Sequence, residues 1–189
     1  MNKNTKTFKN ILFIICLIAI AVGWRIINSN YHIAPNLELV TVVTVIAAIT
    51  MGWRAALIVP ISSMIASDLV IGNSSIFIFT WGSFALIGAG AVILKKLNNK
   101  PKTQILSSFG FVAASSFLFF IVTNFGVWLQ GWYPATFSGL ISSYLMAIPF
   151  YRTMLIGNLI LVPAAITIWQ LVKAHQAAKN LVVNPLVRE

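Results

Sequence analysis

The stretch WLQGWYPATFSGLISSYLMAIPFYR, residues 128–152, interrupts a C-terminal half that is otherwise almost continuously apolar. Trp128, Trp132, Tyr133, Tyr144 and Tyr151 bring aromatic rings with polar tips, the type enriched where a membrane meets water. Gly131, Pro134, Gly139 and Pro149 argue against one uninterrupted helix through it. Arg152 adds a fixed charge at the mouth of the last apolar run. The stretch reads as the cap and wall of a pocket that opens away from the cytoplasm. Residues 137–149, at about 13, are short for crossing a bilayer. They fit an interfacial helix, a re-entrant turn or an extension of a span, and the sequence does not choose a conformation for 130–152.

Outward from this stretch the composition is that of an integral membrane protein. Hydrophobic residues make up 59% of the 189 and charged ones 8%, against about 25% charged in an average soluble domain. Several runs approach the roughly 20 apolar residues that cross a bilayer. The expectation is an all-α polytopic bundle forming a single membrane domain over residues 1–189. Six spans are predicted, at about 11–27, 37–53, 55–71, 76–94, 105–129 and 153–172. Ala19-Ile20-Ala21 offers a candidate signal-peptide cleavage site, but apolar character continues to Ile27, long enough to be retained as a span.

The net charge of +10 does not point to nucleic acid, because the basic residues fall in short runs between apolar spans. With both termini cytoplasmic, Lys3, Lys6, Lys9, Arg54, Lys95, Lys96, Lys100, Lys102, Lys173, Lys179 and Arg188 lie inside. Only two of the 13 basic residues, Arg25 and Arg152, then face out, as the positive-inside rule requires. The expected location is the cell membrane, with lipid as the surrounding partner.

This topology gathers the rare polar groups at the outer face. Arg25 ends the first span, Asn36 lies in the first outer loop and Glu38 opens the second span. Asp68 sits near the end of the third, Asn124 and Trp128 near the end of the fifth, and Arg152 and Asn158 open the sixth. Charges near hydrocarbon are costly unless paired or wetted, so the cluster marks a candidate binding site. The candidate substrate-binding residues are Arg25, Asn36, Glu38, Asp68, Asn124, Trp128, Trp132, Tyr133, Arg152 and Asn158. A purely structural network is the competing reading, with Asp68 paired to Arg25 and Glu38 to Arg152.

Catalytic patterns are thin. There is no His-Glu-x-x-His, no Gly-x-Ser-x-Gly and no phosphate-binding glycine loop. His32 and His175 fall at opposite faces, and Asp68 has no second intramembrane aspartate. No enzyme activity, cofactor or metal is expected. Cys16, the single cysteine, excludes an internal disulfide and reads as a small apolar side chain.

With six spans in view, the chain resembles the substrate-binding S-components of energy-coupling factor (ECF) vitamin transporters. Ala147-Ile148-Pro149-Phe150 is similar to the Ala-x-Pro-Phe that precedes their last helix. Those proteins often continue with Asn and then Lys-Gly, where this chain has Tyr151-Arg152 and later Gly157-Asn158. Ala19 and Gly23 resemble the four-spaced small residues that face the shared coupling subunit. Pro35-Asn36, Ser67-Asp68-Leu69, Trp132-Tyr133-Pro134 and Ser138-Gly139 also resemble an uncharacterised family of small bacterial membrane proteins. The resemblance implies uptake of a small water-soluble, vitamin-like nutrient bound at the outer face, with a separate coupling subunit and ATPases. Arg25, Asp68 and Arg152 would orient its polar groups, and Trp128, Trp132 and Tyr133 would stack on or cover it. The alternative is a scaffold protein of the cell envelope, of the cell-shape type, without transport activity.

Overall fold

The computed structural model describes residues 3–183. The described residues form six helices, α1 (Lys3–Tyr31), α2 (Val40–Met51), α3 (Trp53–Ile71), α4 (Phe77–Lys95), α5 (Pro101–Leu129) and α6 (Phe137–Val183). Five are long and apolar enough to cross a membrane, and the chain is a multi-pass membrane protein. Their exposed faces carry residues such as Ile15, Ile78, Leu106 and Ile160, as a surface in contact with lipid tails requires. Arg188, assigned above to the cytoplasmic side, lies outside the described residues.

The second helix differs from the expected span 37–53. It has only 12 residues, about 18 Å at 1.5 Å per residue, against a hydrocarbon core of about 30 Å. It starts late because Leu37 is held outside it, its carbonyl accepting from Trp24 Nε1 at 2.8 Å and Asn28 Nδ2 at 3.2 Å. A helix this short is tolerated at depth because protein, not lipid, surrounds it. Val40, Val43 and Ala47 pack with Leu17, Ala21, Val59 and Phe84. Val45, Ala48 and Ile49 pack with Leu94, Val112, Val162 and Ile166. The helix with least length thus joins both halves of the core.

The turn after it is a single residue. Gly52 has φ 94°, a conformation that a Cβ would strain, and its N–H reaches back to the carbonyls of Ala47 and Ala48 at 3.3 and 2.9 Å. Trp53, expected to close the second span, and Arg54, expected between the second and third, already belong to α3. The Arg54 guanidinium lies 5.4 Å from the Trp53 ring centre, a cation–π pair at the helix start.

The second departure is α6, 47 residues long with Pro149 and Pro163 inside it. Gly139 and Pro149 do not break the helix, because the chain reverses earlier, at 130–136. Thr136 caps α6 by accepting from the Gly139 N–H at 3.1 Å. A Cβ on Gly139 would lie 2.0 Å from the Pro134 carbonyl oxygen, so this glycine permits the tight entry. Tyr144 and Ser143 then donate to the Ile121 and Asn124 carbonyls at 3.0 and 3.3 Å, fastening α6 to α5. Residues 137–149 are therefore an extension of the last span.

This length gives the two ends of the bundle different shapes. At the lysine-rich end, buried Gln104 donates to the Leu94 carbonyl at 2.8 Å, and Gln170 donates to Gln104. Lys173 closes the α4–α5 loop onto α6 through Asn98, at 3.1 Å. At the opposite end Asn158 meets Glu38 at 2.8 Å. From Asn158 to Gln170 is 12 residues, about 18 Å along the helix, so the two polar belts lie closer together than hydrocarbon is thick. Beyond Asn158 α6 continues to Phe137, about 30 Å further. By contrast α3 stops at Ile71, just past Asp68. The lysine-poor end is a vestibule with one tall wall, the α5–α6 hairpin, and one low wall.

The contact between α3 and α4 gives a test. A Cβ on Gly88 would lie 2.1 Å from the Ala56 carbonyl oxygen, whereas one on Gly82 meets nothing within 4 Å. Gly88→Ala should destabilise the bundle by about 1–3 kcal/mol and Gly82→Ala by less than about 0.5 kcal/mol, read by thermal unfolding in detergent. Equal effects would show that α3 and α4 do not approach this closely.

Candidate functional site

The vestibule holds two adjoining cavities of about 550 and 410 Å³, each in the range of small-molecule sites. Asn36, Thr80, Phe119, Phe150 and Met154 line both, so the lobes share a partition.

The first lobe is polar. Arg25 near the end of α1 donates to Asp68 Oδ1 and to Ser67 Oγ, each at 2.6 Å. Trp81 Nε1 donates to the other Asp68 oxygen at 2.8 Å. Asp68, on α3, is 9% exposed; Arg25 of α1 neutralises its charge and Trp81 of α4 supplies a second donor. Glu38, 8% exposed, accepts from the Thr41 N–H at 2.8 Å and from Asn158 Nδ2 at 2.8 Å. It thereby ties the first turn of α2 to α6. The loop between α1 and α2 forms the lip. Asn28 gives its amide to the Ala34 carbonyl and accepts from the Ala34 N–H, at 2.8 and 3.0 Å. His32 and Asn36 hold positive φ, 49° and 59°, in the left-handed region that Asn and His tolerate better than most residues.

The second lobe is aromatic. Phe119, Phe120, Trp132, Tyr133, Phe150 and Tyr151 line it, with Thr123, Asn124 and Ser143 as its polar edge. The ring centres of Phe120 and Tyr151 are 4.9 Å apart, and those of Phe120 and Tyr144 are 5.4 Å apart, separations typical of attractive aromatic pairs. Trp132 Nε1 reaches across to Ser75 Oγ on the α3–α4 connection at 3.1 Å. This bond joins the tip of the tall wall to the low one.

Of the ten residues expected to bind substrate, seven line the two lobes: Arg25, Asn36, Glu38, Asp68, Asn124, Trp132 and Tyr133. Asn158 lies behind the wall, 1% exposed, and acts by holding Glu38. Trp128 lies outside both lobes and pins the 130–136 turn by donating to the Pro134 carbonyl at 3.1 Å. Arg152 lines neither lobe and is exposed. Its position in a continuous α6, on the face opposite Tyr151 and Met154, removes it from the site. The structural pairing of Arg25 with Asp68 forms, while that of Glu38 with Arg152 does not. Among the described residues no three of His, Cys, Asp or Glu gather where a metal ion could be held.

Phe119 and Met154 line the site without having been singled out, and Trp81, which lines neither lobe, reaches it through Asp68. Trp81 carried a signal, a polar-tipped ring one turn inside a span. The other two are apolar residues in apolar helices, and nothing in the sequence distinguishes them.

The Arg25–Asp68 pair is at once site and structure. Removing one partner of a buried pair strands the other and costs about 3–5 kcal/mol, whereas replacing both with apolar residues is often close to neutral. Arg25 is partly exposed to the cavity, so the lower end applies. Asp68→Asn and Arg25→Met should each lower thermal stability by about 2–3 kcal/mol, and the Arg25→Met/Asp68→Leu double variant should recover most of it. Additive losses would mean that the two side chains are not coupled.

No curated protein and no solved structure matches the chain. A family match covers residues 5–181, nearly the whole sequence. The chain belongs to the family of unknown function DUF6580.

Proposed function

We propose that this protein is the substrate-binding membrane subunit of an uptake system for a small water-soluble, vitamin-like nutrient, located in the cell membrane. The observation that carries the reading is the vestibule at the lysine-poor end, where polar and aromatic lobes of about 550 and 410 Å³ adjoin. By the charge asymmetry of the loops, that end faces outward. A scaffold needs helix-to-helix contacts but has no use for a vestibule that gathers charged side chains on one side and six aromatic rings on the other.

The S-component resemblance supplies the rest of the proposal. The chain has no nucleotide-binding motif of its own, so energy would come from separate ATPases acting through a coupling subunit. The exposed side of α1 offers a place for that subunit. Ala19 is exposed there, and a Cβ on Gly23 would meet nothing within 4 Å, so these small residues are not consumed by packing inside the bundle.

The test is mass spectrometry of small molecules released from protein purified in mild detergent. A single water-soluble compound retained near one equivalent supports the reading and names the nutrient. An empty protein whose melting temperature no vitamin or related nutrient shifts would return the assignment to an envelope scaffold.

A further inference from the structure

The charges in the first lobe do not balance. Arg25 is matched by Asp68, at 2.6 Å, and Trp81 and Ser67 complete that cluster. Glu38 has no such partner. Its two oxygens take one backbone N–H and one amide, which satisfies hydrogen bonding and leaves the charge to the weak field at the start of α2. Arg152 lies outside the cavity, and no lysine lines either lobe. His32, the other titratable group of the first lobe, is exposed at its lip. A carboxylate 8% exposed among apolar helices is costly without a counter-charge. Each carboxylate oxygen can accept two hydrogen bonds, so both keep acceptor capacity in a residue that lines the cavity.

We infer that the ligand itself supplies the missing positive charge: the vestibule is built for an organic cation that carries a flat ring. The cationic head sits in the first lobe against Glu38. The ring enters the second lobe, where Phe119, Phe120, Tyr133 and Tyr151 offer π faces that attract cations and stack on planar systems. An anionic ligand would place its charge beside Asp68 and Glu38, with only the already matched Arg25 to receive it. The spare N–H groups of Arg25 take neutral oxygens of the ligand instead. This inference rests on the uptake reading and narrows it from any small nutrient to one charge class.

The experiment is a thermal-shift and calorimetric screen of the full-length protein, in detergent, against matched water-soluble aromatic cations, neutral isosteres and carboxylates, with ring-free amines as a fourth class. Binding should concentrate in the aromatic cations. Glu38→Gln should lower their affinity roughly 10- to 100-fold, the range for a lost charge-assisted hydrogen bond, and bring them level with their neutral isosteres. This variant keeps an acceptor for the Thr41 N–H, and turning the Asn158 amide pairs its now unpartnered Oδ1 with the new side-chain NH₂. Phe119→Leu should weaken ring-bearing ligands only. Selective binding of carboxylates, equal binding of neutral and cationic rings, or binding of ring-free amines alone overturns the cation proposal while leaving uptake standing. Absence of binding in every class overturns both.

Discussion

A guanidinium and a carboxylate cannot stand unpaired among apolar helices, and the joint that Arg25, Ser67, Asp68 and Trp81 make is where α1, α3 and α4 meet. Desolvation makes each partner expensive alone and inexpensive together. The pair therefore dictates how these three helices close, in a medium where apolar faces gain little from one another because lipid tails are equally apolar. Glu38 does the same service for α2 and α6 through Asn158. A handful of polar contacts fixes the positions of five helices, and those contacts surround the first lobe of the cavity. Stability and site share the same atoms.

The second constraint is geometric. Between its two polar belts the bundle is about 18 Å deep, the length of α2. The α5–α6 hairpin extends well beyond the upper belt, while α3 and α4 end close to it. A tall wall beside a low one leaves a vestibule whose floor lies within the apolar depth, reached from the lysine-poor end. The bond between Trp132 and Ser75 spans the gap. It is an exposed hydrogen bond between side chains of two loops.

The class of fold was legible in the sequence because it depends on bulk properties. Long apolar runs, sparse charge and the placement of lysines require a helical membrane bundle whatever the side-chain details. Pairing across helices was half legible: Arg25 and Asp68 sit at matching ends of their spans, whereas Glu38 found Asn158 rather than Arg152, which a continuous α6 carries to its outer face. That continuity was one of three conformations the sequence left open for 137–149. Gly139 and Pro149 look like breakers, yet in a helix fastened to α5 by Ser143 and Tyr144 the one is needed for close approach to Pro134 and the other is tolerated. The shortness of α2 was hidden because Leu37 and Leu39 are as apolar as the helix that follows. Phe119 and Met154 show the limit of sequence reading, since their role comes from lining the seam of two lobes.

The direction in which the vestibule opens is the claim on which the functional reading turns, and thiol labelling measures it. In a Cys16→Ser background, a cysteine placed at Asn73, which lines the first lobe, should react with a membrane-impermeant maleimide on intact cells. One placed at Asn99, in the lysine-rich loop, should react only after the membrane is opened. Labelling of the Asn73→Cys variant solely in opened cells would contradict an outward-facing cavity, and with it a role in capturing nutrients from outside.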